Sequence, residues 1–324
     1  MTARSTIFQT IQVGVESTPG TEVNANRALT ALLIEPGPKV DISKYRAMGW
    51  KVPSVSSLNK EWVEADLSGA ITYSEIVYPL ASLLGRPTPT LGTVAYNWTF
   101  NVNPTSQDAP ATFTVEQGSS LRAHLFTYGL VNSLGLKFSR DGNEISGTMI
   151  GQALQDGITM TASPTTIALI PVQPTEVSVR LADTYAGLAA ATPLSRALEV
   201  NLNIDNRFGM LYSLNGSSSW IEPVELEPGL KADLLMEANA EGMGLLTTMR
   251  AGAMKFMRVS CDGANIATSE PYLLQIDAAL RVMDVSKFED NQGVYAVRWS
   301  FEMFYDTTWG DFLEILVRNT LSTL

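Results

Sequence analysis

The stretch Leu274-Gln275-Ile276-Asp277-Ala278-Ala279-Leu280-Arg281-Val282, followed by Tyr295-Ala296-Val297-Arg298-Trp299-Ser300-Phe301-Glu302-Met303, decides the fold. In the first run Leu274, Ile276, Ala278, Leu280 and Val282 fall on alternate positions, and in the second Tyr295, Val297, Trp299, Phe301 and Met303 do the same. A period of two places every second side chain on one face of an extended chain, so each run reads as a long, half-buried strand. Between them Lys287-Phe288-Glu289-Asp290-Asn291-Gln292-Gly293 supplies polar and glycine residues for a loop, which predicts an antiparallel hairpin.

The same design recurs toward the N-terminus. Leu134, Leu136 and Phe138 alternate with Gly135, Lys137 and Ser139, Arg140-Asp141-Gly142-Asn143 supplies a turn, and Ile145, Gly147 and Met149 return. Further strands are expected at Leu29 to Ile34, Tyr96 to Val102, Glu176 to Leu181, Leu198 to Ile204 and Lys255 to Val259. Helices are few and short: one capped by Ser74 and running through Leu80, Leu83 and Leu84 to Gly85, with Pro79 at its start or at a kink, and one from about Ala240 to Met249 before Gly252. The expected class is mainly β, a β-sandwich or α+β arrangement.

An offset of 167 positions lays Ala65-Asp66-Leu67 on Ala232-Asp233-Leu234 and Gly85 on Gly252 without a gap. Four identities in 21 positions carry little by themselves. The order of elements around them carries more: strand, polar strand ending in Ala-Asp-Leu, short helix, strand, long hairpin, once from Leu29 to Ile150 and again from Leu198 to Phe304. The competing reading is that any β protein supplies such an order by chance. A length of 324 residues suits two domains. The expected organisation is an N-terminal arm over residues 1–27, domains over 28–160 and 197–324, and a Pro-, Thr- and Ala-rich connection over 161–196.

Composition removes several function classes. A 45% hydrophobic and 17% charged chain is not disordered. A net charge of −11 argues against a surface built to neutralise phosphates. One cysteine, Cys261, permits no intrachain disulfide, and one histidine, His124, cannot supply a His/Cys metal site or more than one imidazole base. No apolar run reaches the ~20 residues of a membrane helix, and no leader is expected at the N-terminus. No cofactor, metal or membrane partner is expected.

Chemical motifs are sparse. Gly242-Met243-Gly244 opens a dinucleotide pattern, but Thr247 stands at the third glycine position. Asp141-Gly142-Asn143-Glu144 resembles the start of a calcium loop whose twelfth position is Gln152, so a hairpin turn explains it better. Glu225 and Glu227 share a strand face and Asp306 and Asp311 flank Trp309; such carboxylates suit glycoside hydrolysis, but solvated faces produce them constantly. Asn97-Trp98-Thr99 and Asn215-Gly216-Ser217 match a glycosylation pattern that has no meaning without export.

The opening Phe8-Gln9-Thr10-Ile11-Gln12-Val13-Gly14-Val15-Glu16-Ser17-Thr18-Pro19-Gly20-Thr21, the later Gly293-Val294-Tyr295-Ala296-Val297-Arg298-Trp299 and the closing Asp306-Thr307-Thr308-Trp309-Gly310 before a strand Phe312 to Val317 resemble the major tail tube proteins of long-tailed bacteriophages. The resemblance is one of pattern over most of the chain. It implies two tandem tube domains, each of two packed antiparallel sheets with a flanking helix, and long hairpins that close a barrel around a lumen. At twice the single-domain length, three chains would supply the six domains of a ring, with a hexamer of chains as the alternative. The implied protein is a virion component made in the host cytoplasm, not an enzyme, whose partners are its own copies and other tail proteins at the tube ends. DNA would pass without specific binding along an acidic wall that repels phosphate. Ile7, Phe8, Ile11 and Val13 of the arm, and Tyr45, Met48 and Trp50 near Pro36 and Pro38, are apolar for exposed segments and are the expected intersubunit contacts. Rival readings are a carbohydrate-binding or carbohydrate-cleaving β protein, and another virion component such as a tail terminator or baseplate hub.

Overall fold

Strands dominate the structure, a computed structural model that describes residues 8–214, 216–267 and 269–324. The first half contains β1 (Thr10–Val15), β2 (Arg27–Leu29), β3 (Leu32–Tyr45), β4 (Val55–Ala70), α1 (Val77–Leu84), β5 (Thr90–Leu91), β6 (Tyr96–Asn101), β7 (Phe113–Ser119), β8 (Arg122–Ser139), β9 (Asn143–Gly151), β10 (Gln155–Ile158) and β11 (Thr165–Thr166). The second contains β12 (Val177–Ala182), β13 (Ala197–Asp205), β14 (Phe208–Leu211), β15 (Glu222–Glu225), β16 (Gly229–Glu237), α2 (Ala240–Met243), α3 (Leu245–Ala251), β17 (Met254–Ala267), β18 (Glu270–Val285), β19 (Glu289–Asn291), β20 (Val294–Met303) and β21 (Leu313–Asn319). The fold is mainly β, with antiparallel pairing throughout except the short β2–β11 contact and isolated bridges.

Six antiparallel pairings occur in each half in the same chain order. In the first they are β1–β7, β3–β4, β4–β9, β9–β8, β8–β7 and β8–β10. In the second they are β12–β17, β13–β16, β16–β20, β20–β18, β18–β17 and β18–β21. Register agrees as well: Pro36, Ala65, Met149 and Val131 lie side by side across four strands, as do Leu202, Ala232, Phe301 and Val282. The helices occupy matching places, α1 ending at Gly85 and α3 at Gly252, both with positive φ.

The long strands β8 and β18 each serve two layers. Residues 122–129 of β8 pair with β7, while residues 130–138 pair with β9, and the change falls beside Tyr128, a non-glycine residue with φ of 57°. Strands pass from one layer to another at such bends. The Glu16 carboxylate accepts the Tyr128 N–H at 2.8 Å, which holds the left-handed backbone. Between the layers lies a core that includes Val63, Ala65, Leu67, Trp98, Phe100, Leu134, Leu136, Trp299 and Phe301. It explains the period-two pattern, because alternate residues of every central strand fill it.

Several local expectations change. The Leu29 to Ile34 strand is broken at Thr30 and Ala31, whose N–H groups turn to the fully buried Glu75. Ser74 does not cap α1; the helix follows Ile76 without a side-chain cap, and Thr72 Oγ1 accepts the Glu75 N–H instead. Pro79 is the third helical residue, where a missing N–H removes no helical bond. The second helix is split at Gly244. Ile11 and Val13 are buried in the chain's own core on β1, so neither stands on a projecting arm, and Ile7 lies outside the described residues. The stretch 161–196, expected to be extended connection, holds β11 and β12.

Candidate self-assembly surfaces

Strand β13 of the second half pairs with β8 of the first, Glu199 opposite Ser139 through Ile204 opposite Leu134. This joint makes one eight-stranded array in the order β3-β4-β9-β8-β13-β16-β20-β18. One of its faces belongs to the core: Ile145, Leu136, Leu202, Ala232, Phe301 and Val282 form a buried row. The opposite face carries the row Leu33, Ser68, Ser146, Gly135, Asn203, Lys231, Glu302 and Arg281, all exposed or half-exposed. A second row reads Glu144, Lys137, Asn201, Asp233, Ser300 and Asp284.

Three cations on this polar face, Lys39, Lys137 and Arg298, are tied to carboxylates, while Lys231 and Arg281 make no ion pair among the described residues and Arg281 lies over the Phe304 ring. Glu199 takes Arg298 at 3.0 Å and Lys137 at 3.5 Å, and Asn201 Nδ2 donates to it at 2.9 Å. Burial raises the Glu199 pKa, but hydrogen bonds from Arg298 and Asn201 and the Lys137 and Arg298 charges outweigh it, leaving the carboxyl below its ordinary value. Lys39 pairs with Glu64 at 3.5 Å. The result is a wall of serine, threonine, asparagine and carboxylates in which Lys231 and Arg281 are the cations without an ion pair among the described residues.

The array has two ends. The outer edge of β3 and the edge of β18 and β19 beyond Val282 pair with no strand among the described residues on their far sides. Exposed apolar side chains sit at both ends: Leu33, Val40 and Ile42 on β3, and Met283, Phe288, Val294 and Tyr295 around β18–β20. Pro36 and Pro38 offer no N–H on β3, a usual device for limiting indiscriminate edge pairing. The start of β3 is anchored by Glu75, which accepts the N–H of Thr30, Ala31 and Leu32 and the Thr30 hydroxyl at 2.6–3.1 Å.

Beyond Val63 the β3–β4 hairpin leaves the body. Its strands stay paired out to Tyr45 opposite Val55, and a turn closes with Trp50 N–H donating to Ala47 O at 3.1 Å. Gly49, with φ of 82°, takes the left-handed position in that turn. Tyr45, Met48 and Trp50 are exposed there, Met48 fully so, and Phe8 is exposed at the other predicted contact segment.

Of the carboxylates considered for catalysis, Glu225, Asp306 and Asp311 are engaged structurally, while Glu227 is exposed. Arg207, buried, binds Glu225 at 2.7 Å and Asp108, and donates through Nε to Leu83 O at 3.3 Å. Burial raises the Asp108 pKa against the pull of the Asn103 N–H and the Arg207 charge. Asp306 caps the turn through the N–H groups of Thr308 and Trp309, and Asp311 accepts from Asn101 and from Phe312 N–H. His124 Nδ1 lies 3.0 Å from Asp156 on the β8–β10 pair. Gly242 cannot carry a side chain, since a Cβ there would meet Glu237 O at 2.0 Å; close packing accounts for it without a nucleotide. Trp98, Trp220 and Trp299 are fully buried and unavailable to stack on a sugar. Asn215 lies outside the described residues. Among the described residues no cluster of three or more His, Cys, Asp or Glu side chains could hold a metal, and no helix is long and apolar enough to cross a membrane.

No family model matches the chain, and no curated protein matches it.

Proposed function

We propose that this chain is a non-catalytic structural subunit that closes with its own copies into a ring whose polar inner wall lines a lumen, as in a phage tail tube. The observation that carries the reading is the β8–β13 joint, considered with the recurring pairings: the chain reads as a duplicated tube domain whose two halves are already joined edge to edge. Strand β3 holds the place in the first half that β13 holds in the second, and the distal part of β18 holds the place of the distal part of β8. The joint made once inside the chain can therefore be made again between chains. Closing the array leaves no open edges around the ring, which removes an aggregation hazard.

Three chains of eight strands give a barrel of about 24 strands, beyond the 16–18 that already leave a water channel. At ~4.8 Å per strand the wall measures ~115 Å around. Polar rows in which carboxylates outnumber the unpaired Lys231 and Arg281 would then face the lumen, giving a passing polyanion little to hold. A virion location, other tail proteins at the tube ends and a trimeric ring belong to the same proposal.

The register supplies the test. Leu134 faces Ile204 inside the chain, and the matching residues are Val285 and Pro38. Facing Cα atoms in antiparallel strands lie ~4.5–5.5 Å apart, within disulfide reach. Chains carrying Pro38→Cys and Val285→Cys should oxidise into linked trimers, and electron micrographs should show rings or tubes. Dispersed monomers without interchain links would refute the proposal.

A further inference from the structure

The β3–β4 hairpin tip is the cationic exception in an acidic chain. Residues 42–60 contain Lys44, Arg46, Lys51 and Lys60 and no Asp or Glu, whereas the whole chain carries −11. Its apolar side chains stand well out into solvent: Trp50 is 59% exposed, Val52 62% and Met48 102%. Among the described residues it is held at its root, where Glu61 N–H donates to Ser218 O and Lys60 lies over the Tyr212 ring. From Pro38, opposite Val63, to the turn the arm spans about nine residues, or ~30 Å at ~3.3 Å each.

A groove of about 1180 Å³ runs between the loop after β6, the β15–β16 connection and the end of β20. It has the opposite character. Glu222, Glu227 and Glu302 line it, with Lys231 as the one cation besides Arg207, whose charge is taken up by Asp108 and Glu225. Its apolar lining includes the exposed Val224, Leu226 and Tyr305. The chain's own tip leaves the groove unfilled, since the tip is exposed along its length.

We propose that the hairpin tip of one copy docks in this acidic groove of a second copy, with Trp50 and Met48 against the apolar lining and Lys44, Arg46 and Lys51 against Glu222, Glu227 and Glu302. Charge complementarity selects the occupant: the chain presents both halves of the contact on separate surfaces. Because the two patches differ, the contact is heterologous and propagates from copy to copy. The inference rests on the self-assembly reading and adds to it a second, salt-sensitive contact distinct from the edge joint.

Cross-linking between full-length chains tests it. Met48→Cys protein is mixed with Leu226→Cys protein and treated with a short bis-maleimide; the one native thiol, Cys261, is fully buried and stays silent. The expected product is a cross-linked 48–226 dimer, lost at about 1 M salt, where the Debye length is ~3 Å. Reversing Lys44, Arg46 and Lys51 to Glu should reduce the yield at least about tenfold, and Glu222→Lys, Glu227→Lys and Glu302→Lys in the partner should restore it. All of these positions lie on the surface, and far-UV circular dichroism verifies the fold. A yield no greater than with Leu121→Cys, an exposed site outside the groove, overturns the docking. Rings or tubes without the 48–226 link overturn it while leaving the edge joint standing, and a chain that stays monomeric overturns both.

Discussion

Glu75→Gln should unfasten the edge strand on which the proposed assembly depends. The Glu75 side chain is fully buried, and among the described residues no cation is bonded to it. Its Oε1 takes Thr30 N–H and Thr30 hydroxyl at 2.6 Å, while Oε2 takes Ala31 N–H at 3.0 Å and Leu32 N–H at 2.9 Å. Glutamine keeps the shape but replaces one acceptor oxygen by an NH₂ group. Whichever orientation it adopts, at least one backbone donor, Thr30 N–H or Leu32 N–H, then faces a donor in a place water does not reach, while the Thr30 hydroxyl can turn to Ile167 O and Ala31 N–H reaches either oxygen position. An unsatisfied buried donor costs about 1–3 kcal/mol, so the variant should lose about that much, an appreciable part of a typical folding free energy. Denaturant titration followed by tryptophan fluorescence measures the loss, and hydrogen exchange should show it concentrated at Leu32 to Ile34. Glu35→Gln, on the exposed face of the same strand, is the control and should stay within ~0.5 kcal/mol. A Glu75→Gln protein within ~1 kcal/mol of the parent would refute the assignment of this carboxylate as the anchor of β3.

Three further outcomes follow from the same contacts. Arg207→Met removes the buried partner of Asp108 and Glu225 and should cost about 3–5 kcal/mol, read as a drop in the thermal midpoint; an unchanged midpoint would mean that the two carboxylates find other partners. Glu270 accepts the N–H groups of Thr93, Val94 and Ala95, which hold its carboxyl down at about 2. A depressed folded-state value stabilises above the ordinary carboxylate range and is lost as pH falls toward 2. Exchange protection of those three amides should therefore decline with acid over that window and be weak at every pH in Glu270→Gln. Cys261, fully buried with its thiol pushed well above the ordinary value, first by burial and then by Asp262 and Glu176, should react with a disulfide reagent only at the rate of unfolding; immediate reaction in native buffer would contradict its placement.

Much of the strand content was legible in the sequence, and the reason is local. Leu134-x-Leu136-x-Phe138 and Leu198 to Ile204 fill a core with every second side chain, so the pattern appears in the residues themselves. The Asp141-Gly142 turn and the Gly252 helix stop were readable for the same reason, since each depends on one residue's backbone freedom. Strand β1 was not: Ile11 and Val13 read equally as a projecting arm, and only a partner more than a hundred residues away, β7, makes them core. Nor was the outer half of the hairpin, because Pro36 and Pro38 argue against a strand until it is seen that they lie on one with a single neighbour.

The sequence by itself determined that the chain is an acidic, β-rich protein with one thiol, one imidazole and a pattern repeated along its length, because composition and a period of two are properties of neighbouring residues. Tertiary structure decided which strands meet: that β8 joins β13, that two edges have no partner strand among the described residues, that Arg207 gathers Asp108 and Glu225, and that one chain carries both a cationic arm and an acidic groove. Those facts depend on contacts between residues far apart in the chain. Alternation specifies which face of a strand is buried and leaves open the strand it lies beside.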